Sequence, residues 1–238
     1  MWVSGSLADP RAPAERVANA SVTVAGLPAL LALRDLQLTP GDSLALLIEI
    51  SYSSKRSAVL EPRAATRAVL RELLSRLTSR SPQTLRFDLT PNGKPYLVDA
   101  GQIAFSISHS RAYSLIALSM RGAIGCDIED RFGNNDGHEL SSSVLHAEER
   151  RAMDALPIPE RMEAFKRYWV RKEAVLKAEG SGFLKDPQSV IVGLDHAQAR
   201  WSEHGGPPLN IHNQPVGVGY VAAVASMDPA CSWHLLNW

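Results

Sequence analysis

The clearest pattern along the chain is a change of period. Ser43 to Ile50 (SLALLIEI) is almost continuously apolar, which predicts a buried strand. Val69, Leu70, Leu73, Leu74 and Leu77 then recur at three- and four-residue intervals, so residues 62–79 read as an amphipathic helix with Pro62 in its first turn. Beyond this helix the period falls to two. Thr84 to Leu89 alternates, and Pro91-Asn92-Gly93 makes a turn that delivers Lys94-Pro95. Ile103, Phe105 and Ile107 alternate with Ala104, Ser106 and Ser108, a strand with one apolar face that ends at His109. Tyr113–Met120 and Ala123–Glu129 are two further strands, read as a hairpin about Arg121-Gly122. Residues 130–143, rich in Gly, Asn and Ser, read as a loop. The helical period returns over Glu160–Glu179, and Gly180 is suited to stop it. Short strands follow at Ser189–Leu194, Pro208–His212, Val216–Ala225 and Ser232–Leu236. Residues 1–40, broken by Pro10, Pro13, Pro28 and Pro40, show no strong period.

Each half thus offers one long helix and several antiparallel strands, and the expected class is α+β. No sequence repeat relates the halves. The 238 residues suffice for one large domain or two small ones. Lys plus Arg and Asp plus Glu are both 25, so the formal charge is zero, which disfavours non-specific nucleic-acid binding while leaving room for a local basic pocket. Cys126 and Cys231 form no zinc-like spacing. No apolar run reaches membrane-span length, and Met1-Trp2-Val3-Ser4-Gly5 lacks the basic start of a signal peptide. A cytoplasmic protein with no membrane or nucleic-acid partner is therefore expected.

Candidate chemistry lies on three elements. Asp127 and Glu129 are two apart in a strand, so their carboxylates leave the same face, opposite Ile124, Cys126 and Ile128. Two adjacent carboxylates repel unless a cation lies between them, and a hard divalent ion shared with phosphate oxygens is one candidate. A solvated strand edge is the plain alternative. On the second helix Met162, Phe165, Trp169 and Leu176 make one stripe, and Glu173 stands in that row where a hydrophobe is expected. A carboxylate there needs a partner, a metal or a function; Lys177, four residues on, is the simplest partner. Ser108, His109 and Ser110 at a strand end suit an anion. Arg63, Arg67 and Arg71 line one face of the first helix, where a solvated ladder is the plain reading.

The order of motifs resembles one family. Gly93-Lys94-Pro95, then Phe105-Ser106-Ile107-Ser108-His109-Ser110, then Gly125-Cys126-Asp127-Ile128-Glu129, then the run from Trp169 through Lys172-Glu173 and Lys177 to Gly180 resemble the Sfp-type 4′-phosphopantetheinyl transferases over about residues 60–193. The resemblance implies a monomeric pseudodimer of two similar halves, each a long helix on a small antiparallel sheet. Residues 1–106 would supply coenzyme A nucleotide contacts and residues 107–238 the metal-binding and catalytic groups. It implies Mg²⁺-dependent transfer of the phosphopantetheine arm of coenzyme A to a serine of an apo acyl or peptidyl carrier protein of fatty-acid, polyketide or nonribosomal-peptide synthesis. Adenosine 3′,5′-bisphosphate would be released. By the resemblance Asp127, Glu129 and Glu173 bind the metal, and Glu173 and Lys177 are catalytic. Arg67, Lys94, Ser108, His109 and Lys177 contact coenzyme A. Lys55-Arg56 stand in for a basic cluster usual before the first helix. The alternatives are a non-catalytic module that binds coenzyme A or a carrier, and an unrelated Mg²⁺ phosphohydrolase built on the same acids.

Overall fold

The computed structural model describes residues 42–49, 62–130, 137–195, 198–201 and 209–237. Residues 1–41 and Lys55-Arg56 lie outside these. The elements in chain order are β1 (Asp42–Glu49), α1 (Pro62–Thr78), β2 (Phe87–Leu89), β3 (Pro95–Leu97), β4 (Ala104–Ser110), β5 (Tyr113–Ser119) and β6 (Ile124–Asp130). They continue with α2 (Gly137–Val144), α3 (Ala147–Asp154), α4 (Ile158–Glu179), β7 (Val190–Ile191), β8 (Gln198–Trp201), β9 (Leu209–Asn213), β10 (Tyr220–Ser226) and β11 (Ser232–Asn237). Helices and mainly antiparallel sheets make the fold α+β, as the periodicity predicts.

Strand alternation stacks these elements in four layers. Leu44, Leu46 and Ile48 of β1 face α1 and join Val69, Leu70, Leu73 and Leu74 in one core. The alternate residues Ala45 and Leu47 face the other way. They meet Leu115, Ala117, Ile124, Cys126, Ile128, Ala222 and Val224 in a second core between two sheets. Val221, Ala223 and Ala225 of β10 face a third core built on α4 with Phe165, Tyr168, Ala174 and Val175. The layers are therefore α1, a first sheet in the order β11-β1-β5-β4, a second sheet in the order β6-β10-β9-β8-β7, and α4. A separate ribbon pairs β2 with β3. One pairing is parallel: β11 lies along β1 from Asp42↔Ser232 to Leu47↔Asn237. The last strand thus completes the sheet begun by the first. The boundary expected at 106/107 runs through β4.

Three expectations change. The segments flanking Arg121-Gly122 are not a hairpin, because β5 already pairs with β1 on one side and β4 on the other. The turn, with Gly122 at φ 93°, instead carries the chain to the second sheet, where β6 pairs with β10. The expected loop 130–143 contains helix α2, which buries Ser141 and Val144. A serine-rich helix with few apolar positions hides its period. Helix α4 is not single-striped: every residue from Val170 to Leu176 is buried, because α2, α3 and the second sheet surround it.

β6 and β4 meet along their edges. The Cys126 amide donates to Ser106 Oγ at 3.2 Å and the Ile128 amide to Ser108 Oγ at 3.4 Å. Serine hydroxyls therefore occupy ladder positions that would otherwise leave β6 amides unpaired.

Candidate functional site

The site lies where β6 faces α4. Gly125, Asp127 and Glu129 share the face of β6 opposite Ile124, Cys126 and Ile128, as the two-residue period predicts. Asp127 is 4% exposed. Its Oδ1 accepts from Ser108 Oγ at 2.7 Å and from Lys177 Nζ at 2.6 Å. Its Oδ2 is buried and accepts no hydrogen bond. Lys177 Nζ also reaches Ser108 Oγ at 3.4 Å. Burial opposes the charge on Lys177, but the Asp127 carboxylate beside it, with Cys126 and Glu173, holds its pKa above the ordinary lysine value.

Two more carboxyls complete the acidic group. Burial, then repulsion from Asp127, pushes Glu129 up to about 7. Burial, then Asp127, also pushes Glu173 up to about 7, and Glu173 is 6% exposed. The structure thus brings Asp127, Glu129, Glu173 and Lys177 into one electrostatic neighbourhood. Among the described residues, no three His, Cys, Asp or Glu side chains are gathered closely enough to cage a metal ion unaided. The donor set nevertheless suits a hard divalent cation. It is all oxygen, it contains one buried carboxylate oxygen without a partner, and its other carboxyls resist ionising because they are buried beside Asp127.

His109 borders this group at the end of β4. Its Nδ1 lies 2.8 Å from Ser114 Oγ, which accepts from Thr66 Oγ1 at 2.7 Å. His109 is an exposed residue, yet desolvation of its imidazole, then Arg63, Lys177 and Arg67, pushes it down to about 4. Arg63 and Arg67 of α1 therefore border the same region. Arg71 does not share their role. Its guanidinium donates to the Pro82 carbonyl at 2.7 Å and the Leu85 carbonyl at 3.2 Å, and lies 4.8 Å over Phe87. Thr66 and Ser114, which orient His109, went unnoticed in the sequence. One is a lone hydroxyl on a helix and the other lies inside an apolar strand, so neither carries a signal.

Two expected coenzyme A contacts are occupied within the protein. Ser108 is 7% exposed and engaged with Asp127, Lys177 and the Ile128 amide. Lys94 gives its ammonium to the carbonyls of Ile124 at 3.0 Å, Lys177 at 2.6 Å and Ala178 at 3.0 Å. Burial pushes the Lys94 pKa down to about 8.

A second buried ion pair sits further back on α4. Lys172 Nζ meets Glu149 Oε2 at 2.7 Å, with both side chains at most 2% exposed. The same ammonium donates to the carbonyls of Pro187 and Val190. Glu149 also accepts from the His146 amide at 3.0 Å and the Val192 amide at 2.8 Å.

Comparison with known proteins gives this geometry a context. Residues 123–225 match the family model of the 4′-phosphopantetheinyl transferase superfamily. That stretch holds Asp127, Glu129, Glu173 and Lys177. The chain is 33% identical over 124 residues to 4′-phosphopantetheinyl transferase HetI of Nostoc sp., covering 51% of this chain and 52% of that protein. It is 34% identical over 110 residues to 4′-phosphopantetheinyl transferase AcpT of Salmonella typhimurium, covering 46% and 56%. It is 27% identical over 164 residues to 4′-phosphopantetheinyl transferase Sfp of Bacillus subtilis, covering 68% and 71%. The aligned part is about half the length of the first two relatives. No helix among the described residues is long and apolar enough to cross a membrane.

Proposed function

We propose that this protein is a 4′-phosphopantetheinyl transferase acting on coenzyme A and an apo carrier protein. The observation that carries the reading is the state of Asp127. One oxygen is fixed by Ser108 and Lys177, while the other is buried without a partner beside two carboxyls that burial and Asp127 hold up to about 7. Such a site gains most when positive charge and phosphate oxygens arrive together.

Asp127, Glu129 and Glu173 would hold Mg²⁺, which when bound supplies positive charge against the coenzyme A diphosphate. The remaining steps belong to the protein. Glu173, buried on α4 in the same acidic group, would also serve as the base for the carrier serine. It takes the proton of the carrier serine as the serine oxygen bonds to the pantetheine-side phosphorus. The bond from that phosphorus to the bridging oxygen breaks, and adenosine 3′,5′-bisphosphate leaves with the electron pair. Lys177, held strongly protonated, offsets the charge on the leaving phosphate. His109 and Arg67, with Arg63, bind the 3′-phosphate. Thr66 and Ser114 hold the imidazole, which at neutral pH contacts the anion as a neutral hydrogen-bond donor. Ser108 contributes by orienting Asp127.

The test is mass spectrometry of apo carriers from fatty-acid, polyketide and nonribosomal-peptide systems after incubation with the protein, coenzyme A and Mg²⁺. Gain of one phosphopantetheine arm on at least one carrier is expected. Coenzyme A binding with no arm transferred to any carrier overturns the reading in favour of a binding module. Free phosphopantetheine released without a carrier overturns it in favour of a hydrolase.

A further inference from the structure

The Lys94 ammonium sits at a joint between the two elements that carry the acids. Two of its three acceptors, the Lys177 and Ala178 carbonyls, belong to the last turn of α4. Such carbonyls lack partners within the helix, and the helix's negative end attracts a cation. The third acceptor, the Ile124 carbonyl, opens β6. Three carbonyls use all three donors of an ammonium. Beside Lys94, Asn92 Nδ2 donates to the Gly180 carbonyl at 3.1 Å, so the same turn grips the helix end twice.

The joint is tight for a second, independent reason. A Cβ on Gly125 would lie 2.0 Å from the Ala174 carbonyl oxygen, 2.4 Å from the Ala178 nitrogen and 2.9 Å from the Lys177 carbonyl carbon. All three are backbone atoms, so no side-chain rotation relieves the overlap. Helix α4 therefore rests directly on the β6 backbone. Asp127 follows Gly125 by two residues on that face, and Lys177 is both the residue whose carbonyl Lys94 holds and the partner of Asp127.

We propose that Lys94 is a positioning residue: by tying Lys177 and Ala178 to Ile124 at the Gly125 contact, it sets the spacing at which Glu173 and Lys177 meet Asp127 and Glu129, without touching coenzyme A. Its catalytic consequence rests on the transferase reading. A displacement of about 1 Å can cost an active-site group about 10²-fold in rate.

The test compares wild type with Lys94→Met and Lys94→Arg. Lys94→Met is expected to lower kcat by about tenfold or more, to leave KM for coenzyme A within about twofold, and to raise the Mg²⁺ concentration for half-maximal rate. Lys94→Arg, which keeps the donors, is expected to recover part of the rate. A rise in KM for coenzyme A with kcat kept would make Lys94 a substrate contact and overturn the proposal. Lost thermal stability with both constants unchanged would make it a structural clamp alone, and would overturn it equally. A readout without turnover is the crystal structure of Lys94→Met, in which the last turn of α4 should shift on β6 and Lys177 Nζ should leave its 2.6 Å contact with Asp127 Oδ1; an unmoved pair overturns the proposal. If wild type modifies no carrier, the transferase reading fails while this structural comparison still decides the positioning. If Lys94→Met does not fold, Lys94→Gln, which keeps an amide donor, is read by the same criteria.

Discussion

Helix α4 carries two buried ion pairs that differ in how completely they are satisfied. At Lys172 the ammonium meets Glu149 and two carbonyls, and Glu149 takes two backbone amides besides. At Lys177 the ammonium meets Asp127, but Asp127 keeps one buried oxygen without a partner. Two further carboxyls lie near it, raised by burial and by its charge. The first pair binds α3, α4 and β7 together and presents nothing to a ligand. The second leaves negative charge undercompensated, which is a poor way to stabilise a fold and a good way to attract a cation with phosphates. A saturated buried pair is architecture; an unsaturated one is a place for chemistry.

The contrast breaks most visibly at Glu173. Glu173→Gln is expected to lower carrier modification by roughly 10²–10⁴-fold, the usual worth of a general base, while the protein remains folded. Wild-type turnover in that variant, measured by carrier mass, would remove Glu173 from the mechanism. Lys172→Met should act in the opposite sense, on stability. Stranding Glu149 in the interior should cost about 3–5 kcal/mol in urea unfolding. Adding Glu149→Gln, which removes the stranded charge and still accepts from one of the two amides, should restore part of it. A negligible loss in the single variant would mean that the Lys172 pair is not the architectural one.

The smallest effect is on the pH dependence of stability. Glu129 and Glu173 sit near 7 in the folded protein against an ordinary 4.5, so the folded state holds protons that the unfolded chain has released. Their contribution is fully present below pH 4.5 and is lost as the pH rises through about 7. In the absence of divalent cation, unfolding free energy should therefore decline across that window. Glu129→Gln with Glu173→Gln should flatten the decline. An equal slope in both proteins would remove the claim that these carboxyls are undercompensated.

Much of the site was legible because strand and helix periods are rigid. Two residues in a strand point the same way, so the facing of Asp127 and Glu129 followed directly. Glu173 stood out because it interrupts an apolar row. What stayed hidden depended on partners far along the chain. Lys94 looked like a turn residue because its acceptors are backbone carbonyls of residues 124, 177 and 178, which no side-chain pattern reveals. Arg67 and Arg71 share a helix face, and only the fold separates them, since Phe87 and two carbonyls claim Arg71. Arg121-Gly122 has the chemistry of a hairpin turn, yet a turn cannot say whether its flanking strands have free edges. Helix α2 shows no apolar period because it buries Ser141 where an apolar residue is usual while exposing Leu140.

The parallel seat of β11 beside β1 has a consequence for the order of assembly. Asp42 pairs with Ser232, so the outer edge of β1 lacks this ladder partner until residues 232–237 have been made. Helix α1, β4 and β5 can gather earlier, but their sheet then shows an open, apolar margin. Closing it needs one of the longest loops in the molecule, a slow event that leaves nascent protein open to strand-to-strand association.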